Sequence, residues 1–409
     1  MDLSEEWDLI PRDHYLDKLW MSRDTRFVKV LTGIRRCGKS SIMKMFLRRL
    51  IDSGIGEDRI LYIDFDVDPE DKPQDHTGLT RYVESRLKVR QGSYILLDEV
   101  QNVERWDVSV SSFYAKGADV YITGSNSRLL SSEMSSKLSG RGIDIEILPL
   151  SFSEYVRFRG GDDTGRLFGE YIRYGGLPAI AMLLNANAKQ LVGGAIDFAY
   201  QTVYIKDIVE RHQIRDAAVL SNIIRFTMLN IGNRISTRNI AGYLTSKGQK
   251  MSHVSVENYL GYMEEAHLVS RPGRIDAETK DILSTHDKLY ATDLGMRNRL
   301  CSFKEEDIDG ILENIVYNEL RRRYDTVDIC SMNDKEVDFI ADANGTPSYF
   351  QVSTDISDKK TRERELKPLR AIGDNYPKYV ITYDRFLLDD IDGIRIMTVT
   401  DWLLEDRRS

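Results

Sequence analysis

Residues 33–40 read GIRRCGKS, which puts two glycines ahead of a Lys-Ser pair at the spacing of a phosphate-binding loop. Gly33 and Gly38 let backbone N–H groups curl around an anion, with Ile34, Arg35, Arg36 and Cys37 completing the cradle. Lys39 would reach the β- and γ-phosphates of a nucleotide, Ser40 would hold Mg²⁺, and Ser41 completes the contact set. The flanking sequence agrees. Residues 27–32 are β-rich, and apolar residues at 42, 43, 46, 47 and 50 have the spacing of a helix. The start of that helix would turn its positive dipole end toward the same anion.

A second group of residues belongs with the first. Residues 93–97 read SYILL, a strand of the buried type, and Asp98 and Glu99 stand at its carboxyl end. This is a Walker B arrangement: Asp98 would hold Mg²⁺ through its water shell, and Glu99 would polarise or orient an attacking water. A third strand, 119–123, runs into Gly124, Ser125 and Asn126. Asn126, with Ser125 as second choice, would contact the γ-phosphate or the water. A turn followed by a helix cap explains either residue equally well.

These residues need a sheet that brings strand ends together. Strands are expected at 27–32, 60–65, 94–98, 119–123 and 143–148, with helices at 39–52, 77–89, 106–116 and 127–138. The alternation is that of a doubly wound parallel α/β sheet, whose ligands bind at the carboxyl ends of the strands. Residues 1–26 read as a helical lead-in, which makes 1–150 the expected nucleotide-binding core. Residues 151–215 read as helices, broken at 174–178, and would form a lid. Residues 216–293 have a winged-helix outline: capped helices at 235–244 and 252–268, then wing strands at 269–274 and 288–291. Residues 294–409 open with an amphipathic helix at 310–324. Strands follow at 326–331, 336–342 and 347–353, then a charged helix at 358–372 and strands at 378–383 and 394–399. That order is the core of restriction-endonuclease-like folds.

Composition sets limits. The 409 residues are 41% hydrophobic, enough for several globular units. A net charge of −8 argues against a dominant nonspecific nucleic-acid binder. Cys37, Cys301 and Cys330 form no CxxC pair, which fits a reducing cytoplasm. Oxidation of Cys37 would block the loop. Neither a secretory leader nor a run of eighteen apolar residues is found, so no membrane contact is expected.

The combination resembles a family of bacterial and archaeal AAA-type (ASCE) P-loop ATPases with a C-terminal domain of unknown function. The matching motifs are GIRRCGKS, DEVQ at 98–101, GSN at 124–126, LSGR at 138–141, PLSFSE at 149–154, GGLP at 175–178, LENIV at 312–316, EVDF at 336–339 and QVS at 351–353. The resemblance implies Mg²⁺-dependent ATP binding and hydrolysis, a winged helix and a nuclease-like tail.

Three constellations leave alternatives open. Arg141, in a Gly-Arg-Gly turn, either stabilises developing γ-phosphate charge, in cis or from a neighbouring subunit of a homo-oligomer, or is an exposed turn residue. The helix at 252–268 carries Glu257, Glu264 and Glu265 and no Lys or Arg, so DNA readout competes with a structural or protein-contact role. Arg271, Arg274 and Lys280 put charge on the wing. The tail has the outline of a PD-(D/E)XK nuclease, with Glu313, Asp338 and the Gln351 carbonyl as metal ligands. Ser353, however, stands where the water-activating lysine belongs, with Lys359 or Lys360 as substitutes. The leading expectation is an ATPase whose cycle controls the winged-helix and nuclease-like modules. The alternatives are an ATP-bound switch read by a protein partner and an ATP-gated DNA nuclease.

Overall fold

The structure is a computed structural model that describes residues 9–67, 72–124, 140–276, 279, 287–332 and 335–405. The chain divides into two compact units. The first holds residues 1–149 with 265–267, and the second holds 150–264 with 268–409. Apart from residues 265–267, the three modules expected after residue 150 fall in one compact unit.

In the first unit, α1 (Asp13–Met21) precedes β1 (Val28–Thr32), α2 (Lys39–Asp52), β2 (Ile60–Asp64), α3 (His76–Arg86), β3 (Tyr94–Asp98), α4 (Trp106–Ala115), β4 (Asp119–Thr123) and β5 (Gly142–Glu146). The strands pair in the order β2-β3-β4-β1-β5, all parallel. Inserting β4 between β1 and β3 puts the loop after β1 and the acids after β3 on either side of the tip of β4. The central strands β1, β3 and β4 are buried at every position, because helices cover both faces. Ile42, Met43, Phe46, Leu47 and Leu50 of α2 are buried as their spacing required, and Phe46 packs 4.8 Å from the Tyr121 ring of β4. Leu79 and Val83 of α3 and Val110 and Phe113 of α4 join Ile95, Leu97, Val120 and Ile122 in one core.

The second unit begins with helices α5 (Phe152–Arg159), α6 (Thr164–Tyr174), α7 (Pro178–Asn185) and α8 (Lys189–Thr202), and a π-helical stretch, Val203–Glu210. The break after α6 is fixed by Asp293, whose carboxylate accepts the Gly176 N–H at 2.9 Å. Then come α9 (Ala217–Leu229), β6 (Arg234–Ile235), α10 (Thr237–Ser246), α11 (His253–Glu265), β7 (Val269–Ser270), β8 (Gly273–Asp276), β9 (Asp287–Lys288) and β10 (Tyr290–Ala291). The strands β7 and β10 pair, as a wing requires, and so do β6 and β9. The expected wing residue Arg274 lies instead in β8, which runs parallel to β11 at the edge of a larger sheet.

That larger sheet follows α12 (Leu294–Cys301) and α13 (Ile308–Arg323). Its strands are β11 (Thr326–Met332), β12 (Lys335–Ala343), β13 (Thr346–Ser353), β14 (Lys378–Thr382), β15 (Asp390–Ile391) and β16 (Ile394–Thr398), with α14 (Lys359–Ala371) after β13 and α15 (Val399–Leu404) at the end. The order is β15-β16-β14-β13-β12-β11-β8. The pairs β11-β12 and β12-β13 are antiparallel, and β13-β14 and β14-β16 are parallel. Leu366 and Leu369 of α14 cover one face over Val337, Tyr349 and Val380.

Candidate functional site

The phosphate loop leaves β1 at its carboxyl end. Gly33 has φ +138°, and a Cβ there would lie 2.2 Å from the Ile147 carbonyl oxygen, so only glycine fits. Gly38, at φ +106°, turns the chain into α2 and offers no side chain to accept the first amides of the helix. The first turn of α2 carries no acidic residue, so its positive end is unopposed by local carboxylates. Lys39 is 4% exposed, and its ammonium donates to the Gly33 and Ile34 carbonyls at 2.9 and 3.3 Å. Arg35 is half-buried, and Arg36 is exposed with a left-handed φ of +68°. Cys37 is fully buried, and burial raises its thiol pKa, which opposes the expected sensitivity to oxidation.

A residue the sequence reading did not single out braces this loop. Arg12, 2% exposed just ahead of α1, donates to the Cys37 carbonyl at 3.1 Å and the Leu148 carbonyl at 2.8 Å. It ties the phosphate loop to the chain leaving β5. Tyr15 of α1 accepts the Leu148 N–H at 3.1 Å.

The acidic partners stand one strand beyond β4. Asp98 is fully buried, and its carboxyl is pushed up to about 6 by desolvation, an effect that hydrogen bonds from Thr123 and Ser40 partly offset. Ser40 and Asp98 therefore meet, as a shared Mg²⁺ role demands. Tyr62 of β2 donates to the other Asp98 oxygen at 2.9 Å. Glu99 has a left-handed backbone, φ +56°, and is 7% exposed. The Thr123 hydroxyl holds that conformation by accepting the Glu99 N–H at 2.8 Å while donating to the Asp98 carboxylate. The Gln101 amide N–H donates to the Glu99 carboxylate, and Gln101 Oε1 is buried without a hydrogen-bond partner. Thr123 and Tyr62 were missed, and Gln101 was read only as part of the DEVQ motif. Thr123 ends β4, whereas Tyr62 lies mid-way along β2 with no local signal. Asn126 and Ser125 lie outside the described residues.

Arg141 is not brought to this site. It is exposed and precedes β5, whose Gly142 pairs with Val28 at the start of β1, and its own carbonyl accepts the Val28 N–H at 2.8 Å. The phosphate loop follows Thr32 at the opposite end of the same strand, about 13 Å away at the usual rise per residue. The guanidinium instead lies 5.3 Å from the Tyr114 ring centroid. The cis alternative is thereby removed.

In the second unit, Glu313, Asp338 and Gln351 do come together, but a lysine stands among them. Lys288 Nζ lies 2.7 Å from Glu313, 3.0 Å from Glu336 and 3.4 Å from Asp338. Gln351 donates to Glu365 at 2.8 Å. Ser353 donates to the Asp355 carbonyl at 3.2 Å, and Lys359 and Lys360 are exposed on the first turn of α14. Among the described residues, no group of three His, Cys, Asp or Glu side chains is placed to hold a metal ion.

Comparison with known proteins agrees with the geometry of the first unit. An AAA domain matches residues 25–156, and a domain of unknown function matches 165–307. An uncharacterized protein of Haemophilus influenzae is 33% identical over 403 residues, which cover 97% of this chain and 99% of that protein. The chain belongs to the family of this protein, with an AAA domain at residues 25–156. A second relative, an uncharacterized protein of Methanocaldococcus jannaschii, is 30% identical over 398 residues, covering 91% of this chain and 85% of its own. Among solved structures, a Walker-type ATPase of Pyrococcus abyssi has a similar fold, with a TM-score of 0.50 at 17% identity over 72% of this chain and 96% of that one. No helix among the described residues is long and apolar enough to cross a membrane.

Proposed function

We propose that the first unit binds ATP with Mg²⁺ and hydrolyses it, and that the nucleotide cycle acts on the second unit. The observation that carries this reading is the convergence of Lys39, Ser40, Asp98 and Glu99 at the carboxyl edge of the β2-β3-β4-β1-β5 sheet. Lys39 would exchange its bonds to loop carbonyls for bonds to phosphate oxygens, a trade the buried ammonium favours. Ser40 and Asp98 fit a magnesium ion, which would supply charge neutralisation at the β- and γ-phosphates. Glu99, fixed by Thr123 and Gln101, would orient water in line with the γ-phosphate and accept its proton.

The deciding experiment compares Lys39→Ala with Glu99→Gln, using a fluorescent ATP analogue for binding and phosphate release for turnover. Lys39→Ala should lose binding. Glu99→Gln should bind and fail to turn over, and wild-type turnover in it would end the assignment of Glu99.

Within the second unit, α9, β6, α10, α11 and the β7-β10 pair support a winged-helix reading, and the α13-β11-β12-β13-α14-β14 order supports a restriction-endonuclease-like one. We read α11 as a structural or protein-contact helix in place of a DNA reader. Arg271 is engaged by Glu257 at 2.7 Å and Glu264 at 3.0 Å, both on α11 itself. Arg274 is engaged by Glu336 at 2.6 Å. Cations committed to carboxylates have little left for phosphates. Titrating labelled duplex DNA against wild type and Arg238→Ala, whose arginine is exposed on α10, tests this. Salt-sensitive binding weakened by the substitution would restore the DNA reading.

A further inference from the structure

We infer that Lys288 is the built-in counter-cation of the acidic centre in the second unit, standing where a nuclease of this outline would hold its metal, so that the centre works without one. Lys288 enters from outside the sheet that carries Glu336 and Asp338 and from outside the helix α13 that carries Glu313. It lies in β9, whose partner across the ribbon is β6, and Arg234 and Lys288 are directly paired. Both side chains converge on Glu336: Arg234 Nε at 3.0 Å from one carboxylate oxygen and Lys288 Nζ at 3.0 Å from the other. Arg274, on the edge strand β8, adds a third cation to Glu336.

The remaining acids are as fully engaged. Glu313 accepts from Lys288 at 2.7 Å and from the Tyr290 hydroxyl at 2.5 Å. Asp338 offers one oxygen to Lys288 and the other to the Val352 N–H at 2.9 Å. Lys288 is thus the cation shared by all three carboxylates, while Arg234 and Arg274 reach Glu336 alone. A hard divalent cation needs several oxygens with open lone pairs and a small, charge-deficient cage. To enter here it would have to expel an ammonium whose side chain is only 7% exposed and which has three carboxylates around it.

The arrangement also answers the question raised by Ser353. The lysine absent from that strand has a counterpart in space, but the counterpart is spent on neutralising the acids. It also fastens the β6-β9 ribbon to the sheet. The centre is then a charge clasp between a winged-helix-like ribbon and a nuclease-like sheet.

The test is a Mn²⁺ titration followed by electron paramagnetic resonance on the nucleotide-free full chain. Asp98→Asn is present throughout, to silence the ATPase metal site. With Lys288 intact, no Mn²⁺ should bind in the second unit, and adding Asp338→Asn should change nothing. Lys288→Ala should gain one Mn²⁺ site at least tenfold tighter than any residual binding, lost again when Asp338→Asn is added. Lys288→Arg should stay metal-free. The comparison with and without Asp338→Asn on intact Lys288 needs no Lys288 variant to fold. Stoichiometric Mn²⁺ binding with Lys288 present that disappears in Asp338→Asn would overturn the inference, as would a folded Lys288→Ala protein that binds none.

Discussion

The Glu99 backbone N–H donates to the Thr123 hydroxyl at 2.8 Å, and through that one oxygen the acid that follows β3 is tied to the tip of β4. The same hydroxyl donates to Asp98, so a single side chain sets both the buried carboxylate and the left-handed turn of its neighbour. Thr123→Val keeps the shape and removes the oxygen. Turnover should fall roughly 10–100-fold, the usual cost of misplacing a catalytic group, while affinity for an ATP analogue changes little. Thr123→Ser should recover most of the rate. Equal losses in affinity and rate would mean that Thr123 only holds the fold.

Arg141 sits at the amino end of the sheet and Lys39 at the carboxyl end, so any action of Arg141 on a γ-phosphate must reach a neighbouring molecule. Arg141→Ala should then lower turnover without weakening ATP binding, because the charge it meets develops in the transition state. Mixing Arg141→Ala with Glu99→Gln should recover activity above the sum of the two alone. A wild-type rate for Arg141→Ala would reduce it to a turn residue stacked near Tyr114.

Arg12 reaches the Cys37 and Leu148 carbonyls from outside the sheet, so the loop's shape depends on a side chain 25 residues upstream of Cys37. Arg12→Met fills similar volume and leaves those carbonyls without their charged donor, at a cost of about 1.5–3 kcal/mol for such bonds. Thermal unfolding should shift down, and affinity for ATP should drop more than kcat. Unchanged affinity in a folded Arg12→Met protein would show that the loop holds itself.

The parallel core was legible because its signals are local. GIRRCGKS, the Asp98-Glu99 pair and the apolar spacing in α2 each declare their geometry within a few residues. The order α13-β11-β12-β13-α14-β14 was legible for the same reason, since each strand carries its own pattern. What could not be read depends on pairing across long separations. Nothing near Lys288 marks it as the partner of Glu313 and Asp338. Nothing near Gly273 distinguishes a wing strand from an edge strand beside β11. The Gly-Arg-Gly turn left a cis and a trans role for Arg141 open, because the side of the sheet it reaches depends on β5 pairing in parallel with β1, Gly142 beside Val28.

Asp98 offers a test in which function and stability pull in opposite directions. Its carboxyl is raised from 3.8 to about 6, chiefly by desolvation, so the folded chain holds the neutral form more readily than the unfolded chain does. Below pH 4 the group is neutral in both states and costs nothing extra. Between pH 4 and pH 6 the unfolded chain ionises while the folded one keeps its proton, so stability falls by about 3 kcal/mol over that window and stays level above it. Asp98→Asn has no proton to lose, and the Tyr62 hydroxyl can turn to accept from its amide. Urea unfolding of the metal- and nucleotide-free protein should therefore give wild type and Asp98→Asn similar stabilities at pH 4. By pH 7.5 the variant should be the more stable by about that amount. The same variant should lose ATP turnover, since it cannot share a magnesium ion with Ser40. A stability difference that does not change with pH would mean that Asp98 is solvated well enough to ionise freely. Its place at the end of β3 would then be set by Thr123 and Tyr62 without the desolvation inferred for it.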